Sequence, residues 1–278
     1  MLPGFLATLA AGAVVVAVVA TRADDGPRRS SSPSTTSVPS EEPGATFVLD
    51  GRSYPYPTPA PEADEPLGQP APLHRGGSFA FARIQPGTDD DPVTWDPCRP
   101  IRVVVADEAA PDRAEGIVEE ALATLSEATG LQIEVEGTTT EPAAEERAPV
   151  QPDRYGDRWA PVLVAWTDPT EVPALDGDTG GLGGAVAVDP PGGGPEVYVT
   201  GQLLLDAPQM ADALRTSSGR DLVRGVALHE LGHLVGLAHV EDAGQLMYAE
   251  GQTGVTAYGF GDRAGLIEVG RGPCVPDL

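Results

Sequence analysis

The stretch HELGHLVGLAH at residues 229–239 determines how the rest of the chain is interpreted. His229 and His233 are four positions apart, so on a helix both imidazoles project from the same face, one turn apart. Gly236 lets the backbone leave the helix in a conformation that strains other residues, and the turned chain then delivers His239. The spacing therefore predicts three imidazoles that converge on one point.

Three converging imidazoles predict a zinc ion, because neutral imidazole binds Zn²⁺ at about 2.0–2.1 Å. Three protein ligands leave a fourth position for water, as in catalytic zinc sites. Glu230 points to the side of the pair, from where it can act as general base on a zinc-bound water. Of the four histidines in the chain, only His74 lies outside this motif. We therefore favour a metal site over the alternative of ordinary core or surface histidines.

The composition excludes several other kinds of chemistry. The chain has 278 residues and a formal net charge of −25, and all 17 of its basic residues are arginine. Without lysine or asparagine there is no P-loop lysine, no Schiff-base lysine and no N-glycosylation site. The acidic balance also argues against nucleic acid as a partner. The missing residue types are those with A-rich codons, which indicates a GC-rich bacterial source.

The N-terminal region predicts export. Residues 2–20 are almost entirely apolar, so residues 1–23 are predicted to be a signal peptide or an N-terminal anchor, and cleavage stays open. The apolar run is followed by Arg22, Arg28 and Arg29. Positive charge at this position opposes export of the chain that follows it. A buried core helix is the alternative. We expect a secreted or cell-surface protein, in the second case with a membrane tether.

Residues 24–76 are predicted to be a disordered linker rich in Pro and Ser. Such a segment buries too little apolar surface to offset its ordering entropy. A short pro-segment around Phe47–Tyr56 is left open. From residue 77 to residue 278 the pattern becomes globular, which predicts one catalytic domain.

Hydrophobic periodicity predicts an α+β domain. A helix is expected over Pro111–Gly130, a second from Ser217 or Ser218 to about Val235, and a short third one after Asp262. The predicted strands are Ile101–Val105, Leu131–Glu136, Val162–Trp166, Ala185–Val188 and Glu196–Thr200.

Two cysteines bracket the predicted domain. In an exported protein Cys98 and Cys274 most simply form one disulfide, which would tie the C-terminal end to the first strand of the domain. Two free buried thiols are the alternative.

The residues after the histidine motif narrow the interpretation further. Met247 lies eight residues after His239 within GQLMYAE, and Asp242 lies three residues after His239. HELGHLVGLAH resembles the metzincin zinc signature, and GQLMYAE resembles the Met-turn of the matrixins, which places a methionine beneath the metal. In astacin-like and serralysin-like relatives a tyrosine two residues beyond that methionine can reach zinc, whereas this chain has Ala249. The resemblance thus favours matrixins, and ordinary core packing is the alternative for Met247 alone.

This resemblance implies a metzincin-like zincin domain, with a mixed twisted β-sheet, an active-site helix, a backing helix and a short C-terminal helix. It implies a zinc metalloendopeptidase, for which we expect a monomer that acts on polypeptides in extended conformation. The segment DGDTGGLGGAVAVD resembles the loop and edge strand that pair with substrate in this family. The resemblance therefore places substrate against Gly183, Gly184, Ala185 and Val186.

The chain also departs from the family pattern. Typical matrixins carry extra histidines for a second, structural zinc, so we expect one zinc ion here. Calcium at Asp176, Asp178 or Asp189 is an option, although acidic loops are usually only solvated. The pro-peptide cysteine switch is missing, and GPCVPD around Cys274 resembles it superficially, which leaves a thiolate bound to zinc as an alternative to the disulfide.

Two other functions stay open. One is a narrow-specificity hydrolase of cell-wall peptides, and the other is a tethered zinc-binding surface module without turnover. Glu230 argues against the second, because a purely structural zinc has no use for a base there.

Overall fold

The structure is a computed structural model that describes residues 44–72, 76–251 and 254–278. The predicted signal peptide or anchor, the first part of the predicted linker and His74 lie outside the described residues. Within the described ranges no helix is long and apolar enough to cross a membrane.

Within the described residues, eight strands form a hairpin and one larger sheet. Their bounds are β1 Thr46–Leu49, β2 Arg52–Pro55, β3 Thr94–Trp95, β4 Ile101–Ala106, β5 Ile133–Thr138, β6 Val162–Thr167, β7 Gly181–Val188 and β8 Val197–Asp206. β1 and β2 pair with each other. The other six strands form one sheet, in which five follow the order β3-β8-β6-β4-β5 and β7 pairs with β8 outside this order. The β7–β8 pair is antiparallel and the remaining pairs of this sheet are parallel.

In the part of the chain that the structure describes, five helices accompany the sheet. Their bounds are α1 Ile117–Thr129, α2 Pro152–Tyr155, α3 Ala207–Ala213, α4 Gly219–Leu234 and α5 Phe260–Val269, and a 3₁₀ turn covers Pro173–Leu175. The mixed sheet with its active-site helix, backing helix and C-terminal helix confirms the predicted α+β, metzincin-like fold.

The main core lies between the sheet and the helices α1, α4 and α5. α1 presents one apolar stripe to it, because Ile117, Ala121 and Leu125 recur at four-residue spacing and are all buried. This helix begins at Ile117 and not at Pro111 as predicted. Arg113 and Gly116 have φ values of 73° and 77°, which a right-handed helix excludes.

The strands around the site are longer than predicted, and two short helices, α2 and α3, were missed. β7 begins at Gly181, so part of the glycine-rich segment is strand, because it pairs with β8 and packs on α4. β8 continues to Asp206, whose side chain accepts from the backbone N–H of Gln209 and begins the unpredicted α3. The strand predicted over Leu131–Glu136 is shifted: β5 covers Ile133–Thr138, and it is an edge strand with mostly exposed residues.

The predicted linker needs a correction, because its described part, residues 44–72, is ordered against the domain; we call this part the strap. Within it β1 and β2 form a hairpin, and Phe47 is fully buried. The rings of Tyr54, Tyr56 and Trp159 lie 5.0–5.6 Å from that of Phe47. These aromatic side chains supply the apolar surface that the Pro- and Ser-rich average composition conceals.

The hairpin covers the face of the sheet that points away from α4. Successive residues of a strand point to opposite faces, so Tyr198 joins the main core whereas Val197 joins the apolar residues around Phe47. We call this second cluster the rear surface. Its buried members are Phe47, Leu49, Val150, Val188, Val197, Val275 and Leu278.

The strap continues from the rear surface along the domain. Backbone N–H groups of Ala60, Ala63 and Ala71 donate to the carbonyls of Leu278, Cys98 and Glu127, at distances of 2.9–3.2 Å. The folded unit therefore includes residues well before the predicted start at residue 77. Cys98 and Cys274 are joined in a disulfide, as predicted, and it holds the C-terminal tail beside the strap.

Candidate metal centre

The structure brings the three histidines of the motif together. His229 and His233 project from α4, and their Nδ1 atoms lie 2.7 and 2.8 Å from the carbonyl oxygens of Leu246 and Leu237. A carbonyl oxygen only accepts, so each Nδ1 carries the proton and donates it. The lone pairs of the Nε2 atoms therefore point toward each other and toward His239.

The three Nε2 atoms form a triangle that fits a metal ion. Its sides are 3.1 Å for His229–His239, 3.1 Å for His229–His233 and 3.2 Å for His233–His239. Tetrahedral ligands at the usual zinc–nitrogen distance are separated by roughly 3.3 Å. The lone pairs repel one another unless a cation lies between them, so this donor set fits Zn²⁺.

The site keeps these imidazoles neutral, as metal binding requires. Burial lowers the pKa of His229 to about 3, and the neighbouring His233 adds to the effect. Burial likewise lowers the pKa of His233 to about 4. The pKa of the half-buried His239 is also lowered by burial.

Glu230 is fully buried next to this trio. Burial raises the pKa of its carboxyl to about 8, and the backbone N–H of Gly183 offsets part of that effect. The Gly183 N–H is close to the carboxylate but does not form a hydrogen bond with it. Neither carboxylate oxygen of Glu230 has a hydrogen-bond partner among the described residues. An unpartnered carboxyl at this depth is costly to bury, which marks it as a functional group.

Glycines allow β7 to lie directly on the backbone of α4 at Glu230. A Cβ at Gly183 would overlap the carbonyl of Glu230, and one at Gly181 would come within 2.9 Å of its side chain. The glycines at the start of β7 therefore allow the edge strand to lie next to the glutamate. The predicted substrate residues Gly183, Gly184, Ala185 and Val186 all lie on this strand.

Met247 lies beneath the helix that bears the histidines. It is 1% exposed, and its sulfur occupies the space that a side chain at Gly232 would need. The turn that carries Met247 also carries Leu246, whose carbonyl orients His229.

Asp262 fixes this turn, and sequence reasoning missed its role. Its carboxylate accepts from the backbone N–H groups of Leu246 at 2.6 Å, Met247 at 3.2 Å and Gly259 at 2.8 Å. Gln245 also links this turn to the start of α5, because its side-chain oxygen accepts from the backbone N–H of Gly261. An acidic residue in the first turn of a predicted helix was the available signal, although it usually indicates only a favourable helix dipole.

The chain before the sheet supports the third histidine. Ala82 donates to the carbonyl of Gly236 and Ala238 donates to that of Ala80, both at 2.8 Å. Gly236 has a φ of 106°, so it adopts the left-handed conformation expected of the residue that turns the chain toward His239.

The described residues contain one other group that could hold a metal, formed by Asp96, Cys98 and Cys274. Its two sulfurs are bonded to each other, so it is not available as a thiolate site, and Cys274 does not act as a switch residue. Asp176, Asp178 and Asp189 form no such group of side chains among the described residues, so calcium binding there stays a prediction.

Comparison with known proteins agrees with the geometry. Residues 165–257 match the family model of the matrixins. No curated protein matches the chain. A solved structure described as metalloproteinase-II from Bacteroides fragilis is 11% identical, with a TM-score of 0.37, and the match covers 76% of this chain and 58% of that one. The family match spans the edge strand, the histidine trio and the Met-turn residue, so this part of the chain is similar to the matrixins.

Proposed function

We propose that this protein is a zinc-dependent endopeptidase that hydrolyses peptide bonds of extracellular or cell-surface proteins. The observation that carries the proposal is the convergence of three Nε2 atoms, 3.1–3.2 Å apart, beside a buried carboxylate without a partner. A structural zinc site would need no such carboxylate.

One zinc ion would be held by His229, His233 and His239 through their Nε2 atoms. Zinc, when bound there, supplies a Lewis acid that polarises a carbonyl and lowers the pKa of a water to about 7. The carbonyls of Leu246 and Leu237 keep two of the rings in the tautomer and orientation that binding requires.

Glu230 is the general base in this proposal. Its carboxylate accepts the proton of the attacking water and then returns it to the leaving amine. A pKa raised by burial to about 8 suits both steps, because the group can gain and lose a proton near neutral pH. The lack of a hydrogen-bond partner leaves both oxygens able to bond that water.

An extended substrate would add to the sheet along β7. Among the described strands β7 pairs only with β8, so its other edge is free for backbone hydrogen bonds at Gly183–Val186. These bonds set the register of the substrate without reading its side chains. Since β7 packs on α4, that register is fixed relative to Glu230.

We further propose that the protein works outside the cytoplasm as a monomer, either secreted or anchored through residues 1–23. The disulfide supports this location, because such bonds persist in oxidising compartments.

The test uses the full-length, zinc-loaded protein and a library of unstructured peptides, with cleavage read by mass spectrometry. We expect cleavage that a chelator abolishes and that Glu230→Gln lowers by about 10²–10⁴-fold, the usual size of a general-base contribution. Zinc content should stay at one ion per chain in that variant. Glu119→Gln, at an exposed position on α1, is the matched control and should behave as the unmodified protein.

Absence of any cleavage with zinc bound would contradict a general endopeptidase. Cleavage of cell-wall peptides alone would then identify the narrow hydrolase, and no turnover on either would identify a zinc-binding module.

A further inference from the structure

A cavity of about 370 Å³ lies on the rear side of β7, away from the histidines. This volume falls within the range of roughly 300–1,000 Å³ that is usual for ligand pockets. Strands β7 and β8 form its floor, the turn between β1 and β2 forms one wall, and residues 145–147 form another. We call it the rear cavity.

The part of the floor that β7 forms is apolar. Leu182, Gly184 and Val186 point to this side of β7, since Ala185 and Ala187 between them belong to the main core. Leu49 of the strap closes the wall above them and is itself 5% exposed. A long aliphatic chain could therefore be buried along the floor.

The wall also contains an acceptor without a donor. The side-chain nitrogen of Gln202 donates to the carbonyl oxygens of Ala144 and Glu145, which fixes the orientation of the amide. The amide oxygen is buried and has no hydrogen-bond partner among the described residues. An occupant with an N–H group would satisfy it.

The rim carries negative charge that is poorly compensated. Asp50, Glu145 and Glu146 line the cavity and are exposed, and one carboxylate oxygen of Glu145 accepts from the backbone N–H of Ala174 at 2.8 Å. The nearest arginine in the wall, Arg147, is committed to the buried Glu141 through bonds of 2.8 and 2.9 Å. Arg52 reaches Glu146 only at 3.8 Å, and both of those side chains are largely exposed, so the pair is weak.

An apolar floor, an unpaired acceptor and an acidic rim together fit the side chain of arginine or lysine, whose aliphatic stem can be buried while its cationic head meets the carboxylates. The position of the cavity indicates where that side chain comes from. Residues 183–186 line the cavity and also form the free edge of β7. In a strand added at that edge, alternate side chains point to the rear face.

We propose that the rear cavity is a second recognition site that takes an arginine or lysine side chain of the polypeptide substrate. This inference rests on the proposed peptidase function and adds a preference for basic sequences to it. The site differs from the histidine centre because it lies on the opposite face of β7.

The test is a positional scan with the full-length zinc-loaded protein. One arginine is moved through an otherwise neutral peptide, and citrulline, which has a similar shape but no charge, replaces it in the paired peptide. We expect one position at which arginine raises kcat/KM about fivefold over citrulline, the size of one partly exposed charge contact. In the double variant Glu145→Gln and Glu146→Gln that ratio should fall to near one. The double variant Glu108→Gln and Glu115→Gln changes the net charge equally at exposed positions outside the cavity and should keep the ratio.

Cleavage of all peptides without any preference for arginine would overturn this inference and leave the peptidase function intact. If no peptide is cleaved, fluorescence anisotropy with labelled arginine and citrulline peptides decides the question separately. Tighter binding of the arginine peptide that is lost in the Glu145 and Glu146 variant would support the cavity, and equal binding would overturn it.

Discussion

The histidine centre and the rear surface lie on opposite faces of one sheet and are held together by different forces. At the centre, backbone carbonyls orient the imidazoles and Asp262 fixes the turn that carries one of those carbonyls. The rear surface joins the strap to the C-terminal tail by apolar burial, and a disulfide closes a separation of 176 residues. The geometry of the centre thus depends on directional bonds between close neighbours, whereas the connection between distant parts of the chain depends on burial.

The largest effect on folding should come from the rear surface. Phe47→Ala removes a fully buried ring that contacts three other aromatic rings, so we expect a loss of about 3–5 kcal/mol in the free energy of unfolding. Denaturant titration measures this loss, and zinc content of the folded fraction should not change. Val135→Ala, at a position that is 44% exposed, should cost far less. A loss below about 1 kcal/mol for Phe47→Ala would mean that the hairpin does not contribute to folding.

Loss of the disulfide should have the second-largest effect on the free energy of unfolding. Cys274→Ser opens a long covalent loop, and we expect unfolding to become easier by about 2–4 kcal/mol. A reductant should destabilise the unmodified protein to a similar extent and have no effect on the variant. Equal stability of the two proteins under oxidising conditions would contradict a structural role for this bond.

At the centre, Asp262→Asn should affect both stability and metal binding. The loss of charge weakens hydrogen bonds to Leu246 and Met247, for which we expect about 1–3 kcal/mol. Because the same turn orients His229, zinc affinity should fall by roughly 10–100-fold, as is usual when an outer partner of a ligand is changed. Competition with a zinc chelator measures this affinity. Asp221→Asn, at an exposed position of α4, is the control, and unchanged zinc affinity in Asp262→Asn would refute the connection.

The smallest effect concerns Glu136 on the edge strand β5. Its ion pairs with Arg158 and Arg102 lower the pKa of its carboxyl from 4.5 to about 2. Because the pKa is lower in the folded state, these pairs stabilise the protein above pH 4.5, and their contribution disappears as the pH falls toward 2. The pairs are partly exposed, so the difference should stay below about 1 kcal/mol. Glu136→Gln should lower the melting temperature at neutral pH and leave it unchanged near pH 2. An equal shift at both pH values would contradict the ion-pair explanation.

The two regions also differ in how far the sequence predicted them. Helix α4 and the histidine trio follow from periodicity and from Gly236, which act over a few residues, and Met247 follows from its spacing. The role of Asp262 could not be read in the same way, because its partners belong to a turn about fifteen residues earlier and to the residue that precedes its own helix.

The hairpin and the full length of β7 were not predicted, because both depend on contacts between residues that are distant in the sequence. The average composition of the Pro- and Ser-rich segment hides the apolar role of Phe47, and the distant residues that help to bury it, Trp159 and Val197, are brought near only by the fold. Gly181 and Gly183 have weak strand propensity by themselves, and they are extended because they pair with β8 and lie against Glu230. The rear cavity depends on both of these features, so no local pattern indicated it.

The hairpin at the start of the strap has a mechanical consequence. A pull on the chain at Gly44 acts on β1 first, and β1 is held to β2 by a register that begins at Thr46 and Pro55 and ends at the turn. Antiparallel strands loaded at their open end separate one pair at a time, which requires little force at any moment. Tension applied through the chain before Gly44 would therefore separate β1 from β2. One wall of the rear cavity would be lost before α4 was strained.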